Sequence, residues 1–368
     1  MAWFEAQQNR EHITQLQGAL AEDGGLLIFL GAGLSFGAAR VSGRGCFDNE
    51  TWWEQSAAKG QDKPPPAGDD EKVWPEGKGD PLPGKKYKGP RATGGKTGTG
   101  SGHGGGLPPG FTYSVAGDDD GQPLPSWPWL ISRMRERLTW TCGDGDQESL
   151  NKFFRDEGPL DCAQLFRQAV GEGNYREFLA RQFDTRLRPE IGPTPSHEAL
   201  VALDLPLVFT TNFDRLLEDT YTDAGLSLSV SATENEFKAT LPSKPKRHLV
   251  KLHGTIERTD TIVLTRSDYS KARRARQEML ASLRHKMSDA RFLFVGFSLS
   301  DPNFNLIRDD IRDSLGINAP VSYTVQGKHD PVKERYLMSL DVNTVWLDSW
   351  NDLPTFLRAI DPSRQSAT

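Results

Sequence analysis

The sequence predicts an α/β protein built on a mostly parallel sheet, and three observations predict it. Apolar runs of four or five residues recur without polar alternation, as in strands buried on both faces. Stretches of helical periodicity separate them. Several runs end in glycine or in polar side chains, at the strand end where open α/β sheets bind ligands.

Taken in order, residues 5–22 place Ile13, Leu16 and Leu20 at helical spacing, and Asp23-Gly24-Gly25 stops that helix. The run Leu26-Leu27-Ile28-Phe29-Leu30 follows as the first strand and turns through Gly31-Ala32-Gly33-Leu34-Ser35 into an expected helix. Gly31 and Gly33 would admit a pyrophosphate close to the backbone, with unpaired N–H groups at the helix start and Ser35 as cap or ligand contact. The third glycine of a dinucleotide fingerprint is displaced, since Phe36 precedes Gly37.

From 41 to 123 about a third of the residues are Gly or Pro, with few apolar positions, so this stretch reads as a long disordered insertion. Gly95-Lys96-Thr97 within it lacks a preceding strand, and Pro90 stands where a phosphate loop needs glycine; it reads as a solvated basic loop. Trp52, Trp53 and Trp74 are aromatic residues suited to docking. Residues 124–190 read as a helical cap subdomain with helices near 147–156, 160–170 and 174–184 and no strand signal. The remaining core, 191–350, opens with a helix at Pro195-Ser196-His197-Glu198, Ser196 being the expected N-cap and His197 a structural hydrogen-bonding residue.

Strands then follow at Leu207-Val208-Phe209-Thr210-Thr211, ending in Asn212-Phe213-Asp214, and at His248-Leu249-Val250-Lys251-Leu252, ending in His253-Gly254. A helix over 270–289 carries Arg273, Arg274, Arg276, Arg284 and Lys286, read as a solvated face. Phe292-Leu293-Phe294-Val295 ends in Gly296-Phe297-Ser298-Leu299, and strands over 321–325 and 344–347 complete the sheet.

At 368 residues the chain has ample length for a core, although its mean hydropathy of −0.56 and 36% hydrophobic content are low, as the insertion explains. A net charge of −6 argues against nucleic-acid binding through overall charge and leaves direct contact by a local patch open. The first 17 residues are polar, and no apolar run reaches the roughly 18 residues of a membrane span, so no membrane association and a cytoplasmic location are expected. Cys46, Cys142 and Cys162 are too few for a four-thiolate zinc site and odd in number for a disulfide framework.

The order of strand ends, Gly-Ala-Gly-x-Ser, Thr-Thr-Asn-x-Asp, His-Gly and Gly-x-Ser-Leu, resembles the sirtuin family, specifically its prokaryotic antiphage-defence branch. The strings Lys251-Leu252-His253-Gly254-Thr255, Ile262-Val263-Leu264-Thr265 with Asp268-Tyr269, and Phe294 through Leu299 with Asp301-Pro302 carry the likeness, which spans residues 24–36 and about 124–305. The resemblance implies one sirtuin-like domain over 1–368 with a Rossmann-like sheet. It also implies that Gly31, Ala32, Gly33 and Ser35 hold the NAD+ pyrophosphate, that Asn212 and Asp214 sit by the nicotinamide ribose, that His253 is catalytic, and that Gly296 and Ser298 line the adenosine side.

The chemistry is consistent with those residue types. Nicotinamide leaves NAD+ as a neutral base, so cleavage needs no general acid and no carboxylate pair. It needs an amide to orient water or a ribose hydroxyl, as Asn212 would, and an imidazole base, as His253 would. Protein-deacylating sirtuins carry two Cys-x-x-Cys pairs after the catalytic histidine, and here no cysteine follows Cys162. The expectation is an NAD+ glycohydrolase without zinc that depletes NAD+ in abortive infection, gated by homo-oligomer assembly or by a partner such as a HerA-type translocase or an Argonaute. A zinc-free NAD-dependent deacylase and a non-catalytic NAD or ADP-ribose sensor are the open alternatives.

Overall fold

A computed structural model describes residues 6–22, 24–35, 39–40, 46–47, 111–114, 124–140, 146–188, 190–297, 299, 305, 308–309, 312–313, 315–327 and 329–361. Most of the expected insertion 41–123 therefore lies outside the described residues. Among them, seven strands form one sheet: β1 Leu26–Leu30, β2 Leu207–Thr210, β3 Ser229–Ser231, β4 His248–Lys251, β5 Arg291–Val295, β6 Ser322–Gly327 and β7 Val342–Leu347. Their order is β7-β6-β5-β1-β2-β4-β3, and every neighbouring pair is parallel. The chain winds from β1 to one side through β2 to β4, then returns to the other side for β5 to β7, so the winding reverses between β1 and β5.

The apolar runs are continuous because both faces of the sheet are covered. In β1, Leu26, Ile28 and Leu30 point into one core and Leu27 and Phe29 into another, the two-residue period of a strand. The first core is closed by helix α1 Gln7–Ala21 (Leu16, Ala19), α5 Pro195–Val201 (Ala199, Leu200), α6 Leu216–Asp223 (Leu217, Tyr221) and a last helix over Leu353–Ala359 (Phe356, Leu357). The second is closed by Phe237 of α7 Glu234–Thr240 and by Met279, Leu283 and Met287 of α9 Gln277–Asp289. Together they make a three-layer Rossmann-like architecture, as the sequence predicts.

Between β1 and β2 lies a helical block: α2 Trp127–Glu136, α3 Asp146–Asp156 and α4 Pro159–Phe183, the last broken at Gly171, whose φ of 77° is not helical. Its own core takes in Phe213, Leu216, Ile256, Ile262 and Leu264, so it packs over the carboxyl ends of β2 and β4. Polar contacts seat it as well. Arg167 pairs with Asp268 at 2.7 Å, Asp161 with Arg266, and Gln164 Oε1 accepts the Ser267 N–H at 3.1 Å, all at the start of α8 Arg266–Ala275.

Four expectations are corrected. The helical block does contain a strand, Leu138–Trp140, paired antiparallel with Phe111–Tyr113 inside the supposed insertion; Phe111 meets Trp140 edge-on at 4.3 Å and Tyr113 meets Phe166. The helix over 270–289 is two helices, α8 and α9, because Arg276 between them has φ −136° and ψ 37°. Arg276 is also buried rather than solvated. Thr194, not Ser196, caps α5, with Pro195 filling the first helical position, where its missing N–H costs nothing.

Candidate active site

The ladders bring four strand ends into one row. Leu30 is level with Val295 on one side and Thr210 on the other, and Thr210 is level with Lys251. The row continues one step past the strands through Gly31 N–H to Val295 O (3.0 Å), Thr211 N–H to Leu30 O (3.2 Å) and Leu252 N–H to Thr210 O (2.8 Å). Gly296, Gly31, Asn212 and His253 thus emerge from adjacent strands at the carboxyl edge of the sheet, where ligands of open α/β folds bind.

At the β1 and β5 ends the contact is backbone on backbone. A Cβ on Gly31 would lie 2.6 Å from Phe297 Cα, and one on Gly33 2.7 Å from Gly296 Cα. Gly296 has φ 63°, which glycine adopts freely. After Gly31 the chain makes a single 3-10 turn, Ala32–Leu34, in place of the expected helix start; residues 36–38 lie outside the described part. The N–H groups of Gly31, Gly33, Leu34 and Ser35 donate to the carbonyls of Val295, Gly296, Gly31 and Ala32. The space these glycines leave is taken by the facing loop. Ser298 lies outside the described residues, and the buried Leu299 beside it has φ 62°.

At the β2 end a side-chain chain runs inward. Asn212 Nδ2–H donates to Ser35 Oγ at 3.2 Å, and Ser35 Oγ lies 3.3 Å from His197 Nε2. His197 Nδ1 in turn accepts the Thr194 N–H at 3.1 Å and lies 2.9 Å from Thr194 Oγ1. His197 is fully buried, which pushes its pKa down to about 3. Asn212 Oδ1 is buried and has no hydrogen-bond partner among the described residues.

The loop behind Asn212 is held by a buried lysine. Lys251 Nζ donates to Asp214 O and to Glu218 Oε1, each at 2.6 Å, with Phe213 O at 3.4 Å. Its side chain is 1% exposed and that of Glu218 11%. Asp214 Oδ1 accepts the Leu216 N–H at 3.0 Å, so this carboxylate closes the turn that leads into α6. Phe213 docks edge-on against Phe183 of the helical block.

His253 is buried against Tyr269, with ring centroids 5.2 Å apart at 70°. Its carbonyl accepts the Val263 N–H at 3.0 Å. Gly254, with φ 86°, leaves no room for a Cβ against Thr261, whose carbonyl accepts from Arg276 at 2.6 Å. Burial lowers the pKa of Arg276 to about 10. The 259–263 segment and Arg276 therefore set the position of the His253 turn.

The structure brings Ser35, Asn212 and His253 to one edge beside Gly31 and Gly296, and it engages the Asp214 carboxylate with the Leu216 N–H in the turn before α6. Sequence reasoning assigned no role to Lys251 or Glu218. The signal was present, since a lysine inside an otherwise apolar run is a buried charge that must be paired. Among the described residues, no group of three or more His, Cys, Asp or Glu side chains is placed to hold a metal ion, and no helix is long and apolar enough to cross a membrane.

Residues 206–345 match the family model of the SIR2-like domain. The chain is 26% identical over 221 residues to the NAD(+) hydrolase ThsA of Acinetobacter baumannii, covering 54% of this chain and 45% of that protein. It is 31% identical over 159 residues to the NAD(+) hydrolase ThsA of Cytobacillus dafuensis, covering 43% and 31%. It is 24% identical over 191 residues to Defense-associated sirtuin 2 of Bacillus subtilis, covering 51% and 18%. The chain thus spans less than half the length of these curated relatives.

Proposed function

We propose that this chain, a member of the sirtuin-like, defence-associated SIR2 branch, is an NAD+ glycohydrolase that converts NAD+ and water to nicotinamide, ADP-ribose and a proton. The observation that carries the reading is Asn212 Oδ1, a buried acceptor with no partner among the described residues, at the carboxyl end of the strand that neighbours the one ending in His253. A buried acceptor left unpaired costs about 1–3 kcal/mol, a cost that a ligand hydroxyl or water removes on binding. Ser35 and Asn212 fit a hydroxyl-rich ribose: one polar pair, uncharged, next to an imidazole.

In this reading Asn212 orients the attacking water or the ribose hydroxyl, His253 takes the proton, and Asp214 holds the loop behind them. Gly31, Ala32, Gly33 and Ser35 wall the pyrophosphate, and Gly296 and Ser298 border the adenosine. Nicotinamide departs as a neutral molecule, so no residue need protonate it. Uncontrolled NAD+ loss would kill a host cell, so activity is gated by homo-oligomer assembly or by a separate partner protein, within the cytoplasm. The names of the ThsA relatives, NAD(+) hydrolase, support the reaction class.

The test is chromatographic product analysis after incubation with NAD+, across protein concentrations and with Asn212→Ala and His253→Ala beside the parent. Nicotinamide and ADP-ribose in equal amounts, falling about 10²- to 10⁴-fold in each variant, are expected. Product that forms only with an acylated peptide, as O-acyl-ADP-ribose, would make it a deacylase. NAD+ binding without product at any protein concentration, both alone and with candidate partner proteins added, would make it a sensor.

A further inference from the structure

We infer that His197 is a positioning residue that turns the Ser35 hydroxyl into a hydrogen-bond donor aimed at a hydroxyl-class oxygen of the ligand beside Asn212. The inference rests on the glycohydrolase reading only for the identity of that ligand.

The argument counts protons. A backbone N–H can only donate, so His197 Nδ1, 3.1 Å from the Thr194 nitrogen, is the acceptor and carries a lone pair. A neutral imidazole with a bare Nδ1 has its proton on Nε2. Complete burial, with no carboxylate facing the ring among its hydrogen-bonded neighbours, keeps the ring neutral and the tautomer unchanging. Nε2–H therefore donates to Ser35 Oγ at 3.3 Å, and Asn212 Nδ2–H donates to the same oxygen at 3.2 Å.

A hydroxyl oxygen accepts two hydrogen bonds and donates one. With both acceptor positions of Ser35 filled, its own proton must point away from His197 and from the Asn212 nitrogen. Ser35 is only 3% exposed, so bulk water is a poor recipient. Beside it lies Asn212 Oδ1, which has no partner among the described residues. The site thus shows one donor, Ser35 O–H, and one acceptor, Asn212 Oδ1. That is the complement of a hydroxyl group or a water molecule, each of which accepts and donates at one oxygen.

Two experiments decide it. Imidazole ¹⁵N NMR on the parent protein, with His197 assigned by its loss in His197→Gln, reads the tautomer without any assumption about the reaction. Nε2 protonated and Nδ1 bare from pH 5 to 8 is expected; a doubly protonated or Nδ1-protonated ring overturns the inference. The second is a double-mutant cycle of His197→Leu and Ser35→Ala, with urea melts confirming that each variant is folded. His197→Leu is expected to lower kcat/KM for NAD+ about 10- to 100-fold alone and less than about 2-fold in the Ser35→Ala background.

His197→Gln, which carries an N–H near the Nε2 position, should recover most of the loss. Equal losses in both backgrounds would mean a merely structural histidine. Should the parent protein not turn over NAD+ even when concentrated and supplied with candidate partner proteins, the glycohydrolase reading fails by itself. The same cycle read as ADP-ribose affinity by calorimetry then carries the test together with the tautomer. A kcat loss at constant KM assigns the oxygen to the attacking water, and a KM rise at constant kcat assigns it to the ribose.

Discussion

The strand ends of β1 and β5 and those of β2 and β4 occupy the same edge of one sheet, yet they are built on opposite principles. At β1 and β5, Gly31, Gly33 and Gly296 press backbone against backbone, and the N–H groups of Gly31, Gly33, Leu34 and Ser35 are spent on the carbonyls of Val295, Gly296, Gly31 and Ala32. At β2 and β4, side chains reach across: Lys251 holds the 212–214 loop, Ser35 and His197 hold Asn212, and one amide oxygen has no partner among the described residues. The first region is closed on itself and the second is left open at one atom. The glycines pack the scaffold as well as bordering the proposed cofactor site, and the open acceptor lies beside them.

The largest effect should fall on the closed side. Gly296→Ala adds a Cβ against the Leu34 nitrogen and the Gly33 backbone, and φ 63° is unfavourable for alanine. Overpacking and backbone strain together predict a loss of about 4 kcal/mol in urea denaturation. A loss under about 1 kcal/mol would mean that the two loops are not packed as described, and the comparison would collapse.

On the open side, Lys251→Met leaves the mostly buried Glu218 carboxylate and the Asp214 carbonyl without their donor. Breaking one partner of a buried pair costs about 3 kcal/mol, whereas replacing both, as Lys251→Met with Glu218→Leu, should cost less than the single change. Denaturation of the three proteins checks this order. If the single and double variants lose the same amount, Lys251 acts through packing and not through its charge.

The pH dependence separates the regions again. His197 is neutral when folded, with its pKa pushed down to about 3, whereas in the unfolded chain it titrates near about 6.5. Below that value the unfolded state takes up a proton that the fold refuses, so stability is lost as pH falls. From pH 6.5 to pH 5 the loss due to His197 is about 2 kcal/mol. His12 and His248, also lowered by burial, act in the same direction. Denaturation at both pH values should show a shallower slope for His197→Gln than for the parent.

How much of this was legible follows the same division. The strand β1 was readable because both of its faces are buried and no polar residue interrupts it. Asn212 and His253 were readable as polar residues ending apolar runs. Ser229–Ser231 was not, since a polar three-residue edge strand leaves no apolar signature. The break at Arg276 was hidden because arginine favours helix, and only its burial against Thr261 shows why it leaves one. His197 read as structural because its partner Ser35 is 162 residues away in sequence; only the fold puts them together.

The smallest expected change in stability is at the residue expected to matter most for activity. Asn212→Ala removes a buried acceptor that has no partner among the described residues, together with one hydrogen bond to Ser35. Losing a satisfied bond costs about 1 kcal/mol, and removing an unsatisfied buried acceptor returns a similar amount, so the two offset each other. Denaturation should find the variant within about 0.5 kcal/mol of the parent. Residues that serve the scaffold lose stability when cut back. A residue that serves an absent ligand does not, and its contribution is recovered only when the ligand is bound. Addition of ADP-ribose should therefore stabilise the parent more than Asn212→Ala. A variant as unstable as Lys251→Met would instead show that Asn212 belongs to the scaffold, and the open atom would lose its meaning.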